Sequence, residues 1–164
     1  MKGLLLPGFL FALVTVVNVI VPFHGAPAAF PVPLPANGLE IGIYDPHGQF
    51  DSEPGIGIDH IFVDWNMPAE RTLKAAESAV VRNRALMVTI EPFPIPGQDP
   101  KTYVSDLLRG EYDRLLVRHC EALARLGNRA FVRFAHEMDL DNARYPWSGM
   151  AAGSYIEIYR HAIG

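Results

Sequence analysis

The chain has 164 residues, 49% hydrophobic and 20% charged, with a formal net charge of -4. That balance suits one globular core and lacks the basic stripe that phosphate neutralisation needs, so a nucleic-acid partner is not expected. The single cysteine, Cys120, excludes an internal disulfide; with Leu116, Leu123 and Ala124 nearby in sequence, it reads as a small buried hydrophobe on a helix.

The first 28 residues read as a targeting segment. Lys2 supplies one positive charge, residues 3–23 carry no ionisable side chain, and Ala26-Pro27-Ala28 offers the small residues a signal peptidase reads. The alternative is an uncleaved membrane anchor through residues 3–23, since the apolar run is about as long as a minimal span of roughly 18–20 residues. Pro7 and the small-residue site favour cleavage, and either way the rest is expected to be secreted or extracytoplasmic. Residues 29–37 then read as a Pro-rich extended linker.

From residue 38 a pattern of strands and helices begins. Residues 39–44 alternate and are β-rich, and Asp45-Pro46 signals a turn. A second strand is expected over 60–65. The stretch between them holds three glycines and is short for a crossover helix, so the first helix is expected to be degenerate or absent. Pro68 opens a helix over 69–83, with Leu73, Ala76 and Val80 at helical spacing. Residues 85–90 form a continuous apolar strand ending in Glu91-Pro92-Phe93-Pro94. A helix follows at 103–108, Gly110 interrupts it, and it resumes over 111–126 with Leu115, Leu116, His119, Cys120 and Leu123 inward and Gly127 as its stop. The fourth strand spans 130–135, and a last amphipathic helix runs from 154 to 163.

Strands alternating with helices argue for a parallel sheet, either an open doubly wound sheet or a (β/α)8 TIM barrel. No Gly-x-Gly-x-x-Gly turn follows any strand. Each strand ends instead in acids or aromatics: Tyr44 and Asp45, Asp64 and Trp65, Glu91, His136 and Glu137. Barrel enzymes build their sites on such a rim, which favours the barrel. A complete barrel takes about 200–250 residues, so residues 38–164 read as its first half, truncated after the fourth strand and the following helix.

The string "RFAHEMD" at 133–139, with "YPWSG" at 145–149 and "YRH" at 159–161, resembles glycoside hydrolase family 26. So do "GIYDP" at 42–46, "HIFVDW" at 60–65 and "TIEPFP" at 89–94, in the order that family shows. The resemblance covers residues 38–164. It implies a retaining, endo-acting glycosidase on a β-linked polysaccharide, chiefly β-1,4-mannan, with no cofactor and no metal. It implies that Glu137 is the acid/base at the end of the fourth strand. The family's nucleophile stands at the end of the seventh strand and has no match here, so this fragment is expected to be inactive by itself. Where the family commonly has Asn, this chain has Asp139.

The chemistry agrees with that role. Glycoside cleavage needs one protonated carboxyl for the leaving oxygen and a second, ionised one about 5–5.5 Å away. Partial burial of Glu137 beside Phe134, Tyr145 or Trp147 would disfavour its charged form. Arg133 is expected to orient carboxylates through bidentate hydrogen bonds. The resemblance implies that His136 lines the cleavage subsite; Trp147 and Tyr145 are expected to stack on sugar rings, and Trp65 and Glu91 to contribute more weakly. Zinc binding is not expected, because position 140 is Leu where a second His would stand. Asp45 and Asp64 read as strand-end hydrogen-bond acceptors, Arg82 and Arg84 as a solvated helix end, and Arg160 and His161 as structural. His24, His47, His60 and His119 carry no signal. The alternative function is a non-catalytic carbohydrate-binding relative, to which Asp139 lends support; a third is a different barrel enzyme with a rim acid, such as a lyase. Oligomeric state is not legible.

Overall fold

The structure is a computed structural model that describes residues 40–124, 130–140 and 144–164. The leader over 1–28, the linker over 29–37 and the stop at Gly127 lie outside the described residues. The described chain is an alternating α/β unit built on a four-stranded parallel sheet. Its strands are β1 (Ile41–Tyr44), β2 (Ile56–Asp64), β3 (Ala85–Glu91) and β4 (Ala130–Phe134), ordered β1-β2-β3-β4 without reversal. The helices are α1 (Glu70–Val81), α2 (Tyr103–Leu108), α3 (Asp113–Ala124) and α4 (Ala152–Ile163).

Register decides what each sheet face carries, because side chains alternate along a strand and paired residues point the same way. Ile61 pairs with Val88 and Val88 with Val132; Val63 pairs with Ile90 and Ile90 with Phe134. That face is apolar, and Val63, Val88, Ile90 and Phe134 are buried in it. Helix α1 covers it through Ala76 and Ala79, and α3 packs beside α1. Each such large apolar side chain taken fully out of water contributes about 1.5–3 kcal/mol. On the opposite face His60 pairs with Met87 and Met87 with Phe131, while Phe62 pairs with Thr89 and Thr89 with Arg133. Most of these side chains stay partly open. The apolar face holds the sheet together; the mixed face carries the polar groups.

No helix forms between β1 and β2, as expected for residues 45–55. Asp45 ties that turn, accepting hydrogen bonds from the backbone N–H groups of Phe50 at 2.7 Å and His47 at 3.3 Å. β2 starts at Ile56, four residues before its expected start, because Ile56 and Ile58 pair with Ile41 and Gly42 of β1. Arg84 departs from the solvated position expected of it. It is buried, donates to Asp59 Oδ1 at 2.9 Å, and donates to the carbonyl oxygens of Phe50, Asp51 and Glu53. Arg82 joins it on Asp59 Oδ2 at 2.6 Å. A guanidinium has enough donors to satisfy a carboxylate and several carbonyls together, so Arg84 latches the loop before β2 to Asp59.

Gly110 separates α2 from α3 as expected. Its φ is +78°, and a Cβ there would lie 2.7 Å from Asp113 Oδ2. His119 is buried: Thr72 Oγ1 lies 2.9 Å from its Nδ1 and the Trp65 carbonyl 3.2 Å from its Nε2. It staples α1 and α3 to the end of β2. Cys120 is buried, with its thiol pushed up to about 12. The expectation of membrane anchoring is corrected: among the described residues no helix is long and apolar enough to cross a membrane. Residues 3–23, on which that expectation fell, lie outside the described residues.

Candidate functional site

The ends of β2, β3 and β4 lie side by side, since Asp64 pairs with Glu91 and Ile90 with Phe134. Beyond Phe134 the chain turns sharply. Ala135 and Glu137 have φ of +49° and +56°, and with Asn83 they are the non-glycine residues with positive φ among those described. Left-handed backbone costs of order 1–3 kcal/mol at such residues and persists only where the surroundings over-determine it. The surroundings here are specific. Ala135 N–H donates to the Ile90 carbonyl at 3.1 Å, the Tyr155 hydroxyl from α4 donates to the Ala135 carbonyl at 2.9 Å, and Trp147 Nε1 donates to the His136 carbonyl at 2.6 Å.

That turn presents His136 and Glu137 beside Glu91. His136 is 3% exposed. Its Nε2 lies 3.2 Å from the Tyr145 hydroxyl, 4.0 Å from Glu91 Oε1 and 3.9 Å from Glu137 Oε1. Burial, and after it the Glu91 charge, holds the Tyr145 hydroxyl above its ordinary value. The three expected residues Glu91, His136 and Glu137 thus converge on one point, with the Tyr145 hydroxyl against His136 Nε2.

Burial is distributed differently from the expectation. The Glu137 side chain is 40% exposed, whereas that of Glu91 is 16% exposed. Burial raises the Glu91 carboxyl above the ordinary carboxylate range, and Arg144 opposes part of that rise. Burial, assisted by the Arg133 charge, lowers the His136 imidazole below its usual value, against the pull of Glu137. Arg133 therefore acts electrostatically on histidines, since its charge also depresses His60.

The expected sugar-stacking aromatics are turned inward. Trp147 is fully buried and stacks on Tyr145 at 4.9 Å, with Phe93 against both. Trp65 is buried, stacks on Tyr112 at 5.1 Å, and donates from Nε1 to the Phe93 carbonyl at 2.6 Å. These rings position the β3 and β4 loops through their N–H groups. The accessible ring at the rim is Tyr44, 51% exposed, edge-on to Phe62 at 5.0 Å. Phe62 in turn meets His136 edge-on at 5.3 Å.

Sequence reasoning passed over His60 and Thr89. His60 Nε2 lies 2.7 Å from Thr89 Oγ1, beneath the same aromatic pair, and burial lowers its imidazole to about 4. The signal lies in alternation: His60 and Phe62 share a face with the rim residue Asp64. Asp64 behaves as an acceptor for Asn66 N–H at 2.8 Å. His161 pairs with Asp113 at 2.8 Å, which is structural. Among the described residues no group of three or more His, Cys, Asp or Glu side chains could hold a metal ion. The chain matches no protein-family model and no curated protein.

Proposed function

We propose that this chain carries the acid/base half of a retaining glycoside hydrolase acting on a β-linked polysaccharide, with β-1,4-mannan as the preferred substrate class. The observation that carries the reading is the convergence of Glu137, Glu91 and His136 at the carboxyl ends of adjacent parallel strands. Three further features support it. The strands follow chain order without the reversal of a doubly wound sheet, which suits half of a (β/α)8 barrel. The residues that meet at the rim are the ones that resemble glycoside hydrolase family 26. Glu137 sits on a turn held by three hydrogen bonds, and its side chain stays open to a ligand.

In this reading Glu137 protonates the leaving glycosidic oxygen and then, as carboxylate, deprotonates the water that releases the glycosyl-enzyme. Tyr44, backed by Phe62, offers its face to the apolar side of a pyranose, the role expected of Trp147 and Tyr145. Export through residues 1–28 belongs to the same proposal. Turnover is expected of a polypeptide that carries both carboxylates, and ligand binding of the 164 residues by themselves.

Titration with a β-1,4-linked manno-oligosaccharide, followed by amide and side-chain NMR, tests it. Shifts centred on Tyr44, Glu91, His136 and Glu137 are expected, with weaker ones from the gluco- and xylo-oligosaccharides. Shifts confined to another surface, or none at millimolar ligand, would remove carbohydrate recognition from this rim.

A further inference from the structure

We propose that Glu91 is a positioning residue: with its carboxyl beside Nε2, it holds His136 as the Nε2–H tautomer. The inference takes its catalytic meaning from the glycoside hydrolase reading, but its geometry does not depend on it. Nε2 faces the Tyr145 hydroxyl at 3.2 Å and has two carboxylate oxygens at 3.9 Å and 4.0 Å. Nδ1 is buried with no hydrogen-bond partner.

The two tautomers make different numbers of hydrogen bonds. With the proton on Nε2, the imidazole donates to the Tyr145 hydroxyl and its N–H also faces two carboxylate oxygens. With the proton on Nδ1, a buried N–H is orphaned. The Tyr145 hydroxyl must then donate to Nε2, and the two carboxylates face a lone pair. Buried unpaired N–H groups are rarer and costlier than acceptors with an unused lone pair. The two glutamates add to the bias, because their oxygens face the positive end of an N–H dipole in one tautomer and a lone pair in the other.

The arrangement gives Glu137 a neutral neighbour whose N–H edge faces it. Trp147 contributes by anchoring the His136 backbone carbonyl at 2.6 Å, which fixes where the side chain leaves the turn. Glu91 touches neither the scissile bond nor the leaving group in this scheme. It acts through His136.

Long-range 15N–1H correlation spectra of histidine-labelled protein read the tautomer directly, with the His136 signals identified by their loss in His136→Gln. The wild type is expected to show protonated Nε2 and bare Nδ1. In Glu91→Gln and in Tyr145→Phe the ratio is expected to shift roughly tenfold toward Nδ1–H, the scale of one polar partner lost. Glu91→Asp is expected to recover part of that shift. Nδ1–H in the wild type, or a ratio unmoved by Glu91→Gln, would overturn the proposal. Should Tyr145→Phe fail to fold, the wild-type spectrum and Glu91→Gln still decide. The readout uses no glycan, so failure of carbohydrate binding would leave this result standing, and the reverse also holds.

Discussion

Residues 135–137 hold the two least comfortable backbone conformations near the site and the two side chains of greatest chemical interest. Their positions depend on groups far away in sequence: the Ile90 carbonyl, the Tyr155 hydroxyl and the Trp147 indole. Trp147→Phe keeps most of the stacking area on Tyr145 and removes only the N–H. It would leave the buried His136 carbonyl without that donor, at a cost of about 1–3 kcal/mol. Urea denaturation should show that loss, and the His136 ring signals should broaden in the same variant. A variant as stable as the wild type, with an unchanged His136, would show that the turn is held by something else. The indole's role was not legible beforehand. The sequence places Trp147 near His136, but only the folded loop decides whether its ring faces solvent or the core.

The elements were legible where periodicity is strong. Helix α1 and the break at Gly110 follow directly from Leu73, Ala76 and Val80 and from a glycine between two helical stretches. The latch on β2 was not legible. Arg84 and Asp59 are 25 residues apart and meet only because β2 and β3 pair in a particular register. The same register hid His60 and Thr89, which are 29 residues apart. Arg84→Met leaves Asp59 with Arg82 as its partner and takes a donor from the Phe50, Asp51 and Glu53 carbonyls. It is expected to cost about 1–3 kcal/mol and to expose residues 45–55 to proteolysis. Combining it with Asp59→Leu should recover part of the stability in chemical denaturation. A double variant no more stable than the single one would assign Arg84's importance to the three carbonyls it serves.

Across the whole molecule, one sheet face is sealed by helices and the other carries titratable groups. His60, His119 and His136 are all held below the ordinary histidine value, chiefly by burial, and His60 is lowered to about 4. The unfolded chain therefore binds more protons than the folded one between about 4 and the ordinary 6.5. By linkage the stability held above 6.5 is lost as pH falls through that window. Glu91 has the opposite sign, because its raised value lets the folded chain keep a proton that the unfolded chain has released. Three histidines against one glutamate give a net fall on acidification. Thermal melting should be higher at about pH 7 than at about pH 5. His60→Gln should flatten that difference, and a flat wild-type profile would contradict the burial of these imidazoles as protons see it.

The parallel sheet was expected from the alternation of strand and helix patterns, and the polar rim from the way each strand ends. The convergence of Glu91 on His136 was only partly visible, because sequence supplies the strand ends and pairing supplies their distances. In the proposed reading Glu137 gives its proton to a departing sugar oxygen. The most direct measurement compares Glu137→Ala with its parent on two substrates, in a polypeptide that carries residues 40–164 and a second active carboxylate. On polysaccharide the variant should lose roughly 10²–10⁴-fold. On an aryl glycoside whose leaving group departs without protonation, the glycosyl-enzyme should still form, with added azide restoring turnover. Equal losses on both substrates, or none on either, would contradict the assignment.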